Sequence, residues 1–204
     1  MTNNIKLQEV CKQLHIPVVG TTSWPLPIEA REILQESNPC PFTAADIDER
    51  LIGTTDFMPH SAIVCLFPYH VPHEGPTNLS RYTWATDYHL VVTDYLQRLV
   101  DELKTTAPDA SFSIHCDTSP LADRYMAYLA GLGFYGKNKC FINPTWGSYI
   151  VIGTVLTTLE FESHTPMADT CMGCNQCITS CLGQCLNGNA FNYATCKRDR
   201  KSTR

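Results

Sequence analysis

The sequence contains no apolar run that approaches the roughly 18 residues needed for a membrane-spanning helix. Its first residues, Met1 to Val10, are polar and lack the basic and then apolar pattern of a secretory signal peptide. From these two absences we expect a cytoplasmic protein with no membrane partner.

Positive charge and repetition are also lacking. The 204 residues include 15 Lys and Arg against 20 Asp and Glu, a formal net charge of −5. This balance argues against a wholly basic nucleic-acid-binding surface, although a local basic patch is compatible with it. No internal repeat and no low-complexity linker divides the chain, and its length suits one domain, or one domain with a small appendage.

Cysteine, in contrast, is abundant, with 11 residues. In a reducing cytoplasm such thiols are expected to be metal ligands or core residues rather than disulfides. Four of them form the run Cys171-Met-Gly-Cys174-Asn-Gln-Cys177-Ile-Thr-Ser-Cys181, which has the C-x2-C-x2-C-x3-C spacing of bacterial ferredoxins. This spacing predicts an iron–sulfur cluster. A structural zinc knuckle or buried free thiols are the alternatives, but zinc ribbons use two separated C-x2-C pairs.

Helical and strand patterns alternate through the rest of the chain. Apolar residues at helical spacing predict helices over residues 4–15, 25–36, 84–104 and 121–130. Apolar runs and alternating patterns predict strands over residues 16–20, 62–67, 112–116, 139–142 and 149–156. The last two strands flank a predicted hairpin turn. This order predicts an α/β fold, a helix-covered mixed sheet with a C-terminal ferredoxin-like cysteine module.

The continuous apolar run over residues 62–67 is typical of a central strand covered on both faces. The loop that follows it, residues 69–81, carries His70 and His73 and is either a wall of a ligand site or a solvated loop. Residues 38–43 hold two prolines and predict another loop, in which Cys40 is expected to be structural rather than catalytic.

Asp117 follows the strand over residues 112–116 and precedes a predicted helix with Ser119 as its N-cap. A carboxyl group in this position can deliver a proton to a substrate. The alternative is a capping aspartate that stabilises free backbone amides. His89, near the start of the long helix, is expected to be a hydrogen-bonded structural residue.

A second candidate segment is rich in glycine: Gly131-Leu-Gly133-Phe-Tyr-Gly136-Lys137-Asn138. Because it follows a helix, it reverses the strand–loop–helix order of a dinucleotide site, so we reject a Rossmann nucleotide site. Its glycines indicate backbone packed closely against neighbouring protein or against a flat cofactor. Lys137 is either an exposed lysine or the partner of a phosphate or carboxylate.

Several blocks of the sequence, taken in order and spacing, resemble epoxyqueuosine reductases, a family similar to reductive dehalogenases in its cobalamin-binding core. The resemblance covers residues 60–196. The blocks are Arg81-Tyr82, Asp87-Tyr88-His89, Asp117-Thr-Ser-Pro120, Arg124, Ala130 to Asn138, Ile142-Asn-Pro, Gly147-Ser148 and the cysteine run. One mild departure is Asp123, which stands where the family usually has Glu.

The resemblance implies a function. The family couples cobalamin to two 4Fe–4S clusters and reduces epoxyqueuosine to queuosine in tRNA, so tRNA and a redox donor protein are the implied partners. Asp117 matches the family's proposed proton donor. The residues placed beside the corrin ring are Gly131, Gly133, Lys137, Asn138, Gly147 and Ser148. The implied organisation is a cobalamin-binding-like catalytic domain over residues 1–160 and a partial ferredoxin-like iron–sulfur module over residues 161–204.

The resemblance also implies the metal ligands. The family's first cluster uses the first three cysteines of the run, here Cys171, Cys174 and Cys177, and a fourth cysteine from a second motif. Its second cluster uses the last cysteine of the run, Cys181, a later one matched by Cys196, and a further C-x2-C.

This second motif is absent from the sequence. The chain is therefore expected to be a truncated homologue, or to hold one cluster with Cys181, Cys185 or Cys196 as its fourth ligand. The leading hypothesis is an iron–sulfur, cobalamin-dependent reductase that resembles epoxyqueuosine reductase. The alternative from another class is a single-cluster electron-transfer or redox-sensing protein without catalysis, and cobalamin binding separates the two.

Overall fold

The computed structural model describes residues 3–36, 46–53, 55–70, 72, 79–168, 171–187, 190–192 and 194–196. The helices are α1 (Asn3–Gln13), α2 (Ile28–Glu36), α3 (Ile47–Ile52), α4 (Tyr88–Lys104), α5 (Asp123–Leu129) and α6 (Gln176–Thr179). The strands are β1 (Val18–Ser23), β2 (Ser61–Pro68), β3 (Phe112–Cys116), β4 (Phe134–Tyr135), β5 (Phe141–Ile142), β6 (Ile150–Thr157), β7 (Leu186–Asn187) and β8 (Ala190–Phe191). The predicted loop with Cys40, and His73, lie outside the described residues.

The central sheet has four strands in the order β1-β2-β6-β3, and every neighbouring pair is antiparallel. The strands predicted over residues 62–67, 112–116 and 149–156 all lie in it, and the α/β class is confirmed. The parallel pairs expected of a mixed sheet are not found among the described strands. The apolar run of β2 reflects burial on both faces, which an antiparallel strand also reaches when helices cover both sides.

Helices pack on both faces of this sheet, and β2 shows why. Ala62, Val64 and Leu66 point to one face, into a core shared with α2, α3 and α5. Ile63 and Cys65 point to the other face, into a core shared with α1 and α4. All five residues are completely buried. The side chains by which α4 enters this second core are Val92, Leu96, Leu99, Val100 and Leu103.

Three helices begin later than predicted, and the first of them is α2, which starts at Ile28 rather than at residue 25. α4 starts at Tyr88 because the Asp87 side chain accepts a hydrogen bond from the His89 amide at 2.9 Å and caps it. α5 starts at Asp123, and its N-cap residue is Ala122, without a side-chain cap. Ser119 accepts from the Leu121 amide at 3.2 Å and therefore closes a turn before the helix. In the described part of the chain, no helix is long and apolar enough to cross a lipid bilayer.

The predicted hairpin of β5 and β6 is wrong, although its turn is confirmed. β5 pairs instead with β4, which the sequence patterns did not predict, and β6 joins the central sheet. The turn is closed by two hydrogen bonds between the backbones of Asn143 and Gly147, at 2.9 and 2.8 Å. The buried Asn143 side chain also donates to the Leu132 carbonyl at 2.8 Å, which fixes the turn against the glycine-rich segment.

A segment that we call the strap, residues 160–164, follows β6 and binds the first helix and strand. The Asn4 side chain donates to the Glu162 carbonyl at 2.8 Å and accepts from the Glu162 amide at 2.9 Å. The Thr21 amide donates to His164 Nδ1 at 3.1 Å, and the His164 amide donates to the Thr21 carbonyl at 2.9 Å. Phe161 is buried in the core with α1 and α4. The strap thus closes one side of the sheet before the chain enters the cysteine run.

Candidate functional site

Asp117 directly follows β3 in a left-handed backbone conformation, with φ +58°. This conformation is uncommon for a non-glycine residue, although Asp adopts it more readily than most. Asp117 Oδ2 accepts a hydrogen bond from the Tyr88 hydroxyl at 2.6 Å. The Asp117 side chain is nevertheless 62% exposed, so the carboxylate is oriented by the protein and open to a ligand.

His89 connects Asp117 to a second carboxylate. His89 Nε2 lies 3.4 Å from Asp117 Oδ2, and His89 Nδ1 lies 2.8 Å from Asp87 Oδ1. The hydrogen bond with Asp87 is the main reason that the pKa of His89 is raised, and Asp117 adds to it. Burial, and then the hydrogen bond to Asp117, raise the pKa of Tyr88. The expectation that His89 is hydrogen-bonded is confirmed, but Tyr88 was missed as a partner of Asp117.

Aromatic side chains extend from Tyr88 across the end of the sheet. The Tyr82 ring packs edge-on against Tyr88 at 6.0 Å and against Tyr69 at 6.3 Å, and Tyr69 packs against Tyr149 at 5.8 Å. His70 also packs on Tyr149, at 4.8 Å between ring centroids. As far as it is described, the loop after β2 therefore contributes to a row of rings that runs from Tyr88, the partner of Asp117, to Tyr149.

The glycines differ in what lies next to them. A Cβ at Gly131 would lie 2.6 Å from the Thr165 carbonyl oxygen, and one at Gly133 would collide with the carbonyl oxygen of Ile142. These two glycines therefore pack against neighbouring protein. A Cβ at Gly147 would have no atom within 4 Å, and Ser148 beside it is exposed. The Gly147-Ser148 turn thus borders open space.

Lys137 joins the glycine-rich segment to the cysteine run. Its backbone amide donates to Cys171 Sγ at 3.3 Å, and its Nζ donates to Asn175 Oδ1 at 2.7 Å. Asn138 stabilises the same loop, because its side chain accepts from the Cys140 amide at 3.0 Å. Lys137 is exposed, yet it holds two elements together rather than projecting freely.

The thiols of Cys171 and Cys181 lie in different surroundings. Cys171 lies beside Lys137, whereas Cys181 Sγ lies 3.3 Å from Cys185 Sγ. The pKa of Cys181 is lowered by the Cys185 thiol and by backbone N–H groups, and the pKa of Cys185 is raised to about 11 by its hydrogen bond to Cys181, by burial and by Cys196. Gly173 has a positive φ, +83°, which glycine adopts without strain in a tight loop.

Thiolates are the donors that iron–sulfur clusters and zinc prefer, so the chemistry of this set fits such a group. Within the described residues, no three metal-ligating side chains are already arranged around one ion position.

Asp123 is a further ionisable residue that sequence patterns alone did not single out. Burial, and then the negative charge of Asp117, raise the pKa of this carboxyl to about 7. The Thr154 hydroxyl is fully buried near it and has no hydrogen bond of ordinary geometry among the described atoms. The only signal for Asp123 in the sequence was its place in the family pattern.

The class of fold is shared with reductive dehalogenases. The chain superposes on a catabolic reductive dehalogenase in complex with 3-bromo-4-hydroxybenzoic acid with a TM-score of 0.50. The two are 15% identical over 87% of this chain and 23% of that chain, which shows a common fold and nothing further.

Epoxyqueuosine reductases are more similar. The family described as epoxyqueuosine reductase QueG, DUF1730, matches residues 57–118. The epoxyqueuosine reductase of Bacillus cereus is 38% identical over 117 residues, or 57% of this chain and 31% of the relative. That of Streptococcus thermophilus superposes with a TM-score of 0.81 at 25% identity, over 97% of this chain and 57% of that chain.

An epoxyqueuosine reductase solved with an epoxyqueuosine-modified tRNA-Tyr stem loop gives a TM-score of 0.80 at 26% identity, over 95% of this chain and 55% of that chain. The resemblance to epoxyqueuosine reductases predicted from the sequence is thus confirmed in sequence and in fold. The chain spans about a third of the length of the curated relative from Bacillus cereus and just over half of the solved ones.

Proposed function

We propose that this chain is the cobalamin-binding, proton-donating part of a reductase that converts epoxyqueuosine in tRNA to queuosine. The observation that carries the proposal is the placement of Asp117, fixed by Tyr88 and His89 at the end of β3. It occurs in a fold that matches epoxyqueuosine reductases over nearly the whole chain. The tRNA partner, a redox donor protein and a cytoplasmic location are parts of the same proposal.

In this proposal Asp117 protonates the oxygen that leaves the opened epoxide. Tyr88 holds one carboxylate oxygen at 2.6 Å and sets the direction in which the carboxyl group faces the substrate. His89, kept cationic to higher pH by Asp87, lies 3.4 Å from the same oxygen and can return a proton to Asp117 after each turnover.

Bound cobalamin would supply a reducing metal centre beside the substrate, and an iron–sulfur cluster would supply its electrons. The residues that the family resemblance places beside the corrin ring differ in whether they could contact it directly. Gly147 and Ser148 border open space and would contact it directly. Gly131 and Gly133 would act by letting their loop pack tightly, while Lys137 and Asn138 would keep that loop against the cysteine run.

For the cluster we propose the thiolates of Cys171, Cys174 and Cys177 as three ligands. Cys181 and Cys196, which the family resemblance also assigns to metal, would belong to a metal site separate from these three ligands. The reason is that Cys181 Sγ lies 3.3 Å from Cys185 Sγ. In domain terms, residues 1–160 would form the catalytic domain and residues 161–204 the partial iron–sulfur module.

The test is anaerobic reconstitution with iron, sulfide and cobalamin, followed by visible and electron paramagnetic resonance spectra. We expect protein-bound cobalamin together with about four irons per chain, as for one cubane. Cys174→Ala should lose the iron and keep the cobalamin. A cluster without cobalamin would favour the electron-transfer alternative, and zinc as the only bound metal would overturn the cluster assignment.

A further inference from the structure

Lys137 is held against the cysteine run at two separate points. Its backbone amide donates to Cys171 Sγ at 3.3 Å, and its Nζ donates to Asn175 Oδ1 at 2.7 Å. Asn175 lies between the second and third cysteines of the run, Cys174 and Cys177. One residue therefore places a hydrogen-bond donor on the first thiol and a positive charge beside the loop that joins the other two.

The loop that carries Lys137 is fixed by its own hydrogen bonds. The Gly136 amide donates to the Cys140 carbonyl at 2.9 Å, and the Lys139 amide donates to the Gly136 carbonyl at 2.8 Å. Arg124 Nη1, on α5, donates to the Lys139 carbonyl at 2.8 Å and ties the loop to the helix. The Lys137 amide is thus directed at the cysteine run by a loop that is already folded.

Asn175, the acceptor for the ammonium group, is also fixed. It has a left-handed backbone conformation, φ +54°, and is the N-cap residue of α6. Its carbonyl accepts from the amides of Ile178 and Thr179 at 3.0 and 3.1 Å. Within the described cysteine run its side chain makes no capping hydrogen bond. The side-chain oxygen is therefore available to Lys137 because α6 does not use it.

Both contacts favour electron uptake by a cluster on these cysteines. Reduction adds one electron and makes a group built of thiolates and sulfide more negative. Positive charge and N–H donors near its sulfur atoms stabilise the added charge and raise the reduction potential. A donor held in place by the folded protein does so without rearrangement at the moment of electron transfer.

We propose that Lys137 raises the reduction potential of the cluster assigned to Cys171, Cys174 and Cys177. This inference rests on the proposed function, which supplies the cluster and the redox donor protein, and it adds the residue that controls electron flow between them. Lys137 favours uptake of one electron from the donor and is itself neither oxidised nor deprotonated. The family resemblance places Lys137 beside the corrin ring and does not give it this role.

The experiment is an anaerobic redox titration of the reconstituted full chain, in which electron paramagnetic resonance follows the reduced cluster. Lys137→Met removes the ammonium group and keeps the backbone amide. We expect it to shift the reduction equilibrium about 10-fold toward the oxidised cluster, the size of effect that one neighbouring charge has on an ionisation equilibrium. For a one-electron couple this is a potential about 59 mV more negative. Lys137→Arg retains the charge and should keep a potential close to that of the parent.

Lys12→Met is the matched control. It removes the same charge from an exposed position on α1, which packs on the opposite face of the sheet from α5. Its potential should equal that of the parent. Because Lys137 is exposed, the difference between Lys137→Met and the parent should also shrink in about 1 M salt, where screening acts over about 3 Å.

Lys137→Gln is the second variant, in case Lys137→Met does not retain the cluster, since a neutral amide can still donate to Asn175. We expect the same lowered potential; a parent-like value in either neutral variant would overturn this inference and leave the proposed function intact. A parent chain that forms no cluster would instead contradict the proposed function, and this inference with it.

Discussion

The side chain of Asp117 is fixed by Tyr88 and His89 and is mostly exposed, which suits a group that acts on a ligand. Asp117→Asn keeps the shape and can still accept from Tyr88, but it has no acidic proton. We therefore expect near-parent thermal stability and a loss of about 10²–10⁴-fold in turnover, the usual contribution of positioned proton transfer. The measurement is conversion of epoxyqueuosine in a tRNA stem loop, followed by mass spectrometry on reconstituted protein.

Asp94→Asn is the matched control, because Asp94 is an exposed carboxylate on α4 whose nearest cation, Arg98, lies 3.9 Å away. It should retain parent activity. Full activity in Asp117→Asn would return Asp117 to a purely structural role.

Asp123 should make folding stability depend on pH. Its pKa is raised from 3.8 to about 7, so between these values the folded state binds a proton that the unfolded state has lost. The free energy of unfolding therefore falls as pH rises through this window and levels off above it. At about 1.4 kcal/mol per pKa unit, and allowing for partial exposure, the parent should lose about 2 kcal/mol more than Asp123→Asn between pH 5 and pH 8.

Urea unfolding at the two pH values, under reducing conditions, measures this difference. Asp109→Asn, at an exposed position, serves as the control and should follow the parent. Equal pH dependence in parent and Asp123→Asn would show that the carboxyl is solvated in the folded state.

Local sequence patterns could predict Asp117 as a candidate, because a polar residue at a strand end next to a helix start is a recognisable position. They could not predict Tyr88 and His89 as its partners, since Tyr88 lies 29 positions before Asp117 and the rest of α4 and all of β3 come between them. The environment of Asp123 depends on the charge of Asp117 and on its burial near Thr154, which only the packed fold brings together.

Among the elements, the β4–β5 ribbon depends on a glycine at the point of closest approach. A Cβ at Gly133 would collide with the Ile142 carbonyl oxygen, a backbone atom that cannot rotate away. Gly133→Ala should therefore destabilise the protein by about 1–3 kcal/mol, the usual range for overpacking. Thermal unfolding of the cofactor-free protein measures the change.

Gly147→Asn is the control for this prediction. Gly147 has φ +61° and open space beside it, and Asn tolerates the left-handed conformation better than other residues. Its stability should stay close to that of the parent. A Gly133→Ala protein as stable as Gly147→Asn would contradict the close packing of the ribbon.

Some helices and strands could be predicted from their own residues, and others depend on contacts made in the folded chain. α1 and β3 were predictable because their apolar residues recur at the helical and the strand period, and β2 because its continuous apolar run ends at a proline. β4 and β5 have two residues each, too few for any period, and their pairing depends on the contact at Gly133. Strand direction was not predictable from β2, since its apolar run reports burial alone.

At the scale of the whole molecule, the chain folds as a helix-covered sheet. Lys137 connects its glycine-rich segment to the cysteine run through hydrogen bonds to Cys171 and Asn175. The division of this chain at residue 160 stays a prediction. Phe161 lies immediately after that boundary and is buried in the core with α1 and α4. The first residues of the predicted iron–sulfur module therefore pack in the core of the predicted catalytic domain. Length and composition indicated one main domain but carried no information on this contact.

The strap has a consequence for solvent access to its backbone. The Glu162 amide donates to Asn4 Oδ1 and the His164 amide to the Thr21 carbonyl, so both protons are held by residues from the other end of the chain. In deuterium oxide both should exchange more slowly than free amides, because the His164 amide is released only when β1 separates from the strap and the Glu162 amide only when the Asn4 side chain turns away. Asn4→Ala should speed exchange at Glu162 and leave His164 protected, which nuclear magnetic resonance can follow residue by residue. Equal protection at Glu162 in the parent and the variant would mean that Asn4 does not hold this end of the strap.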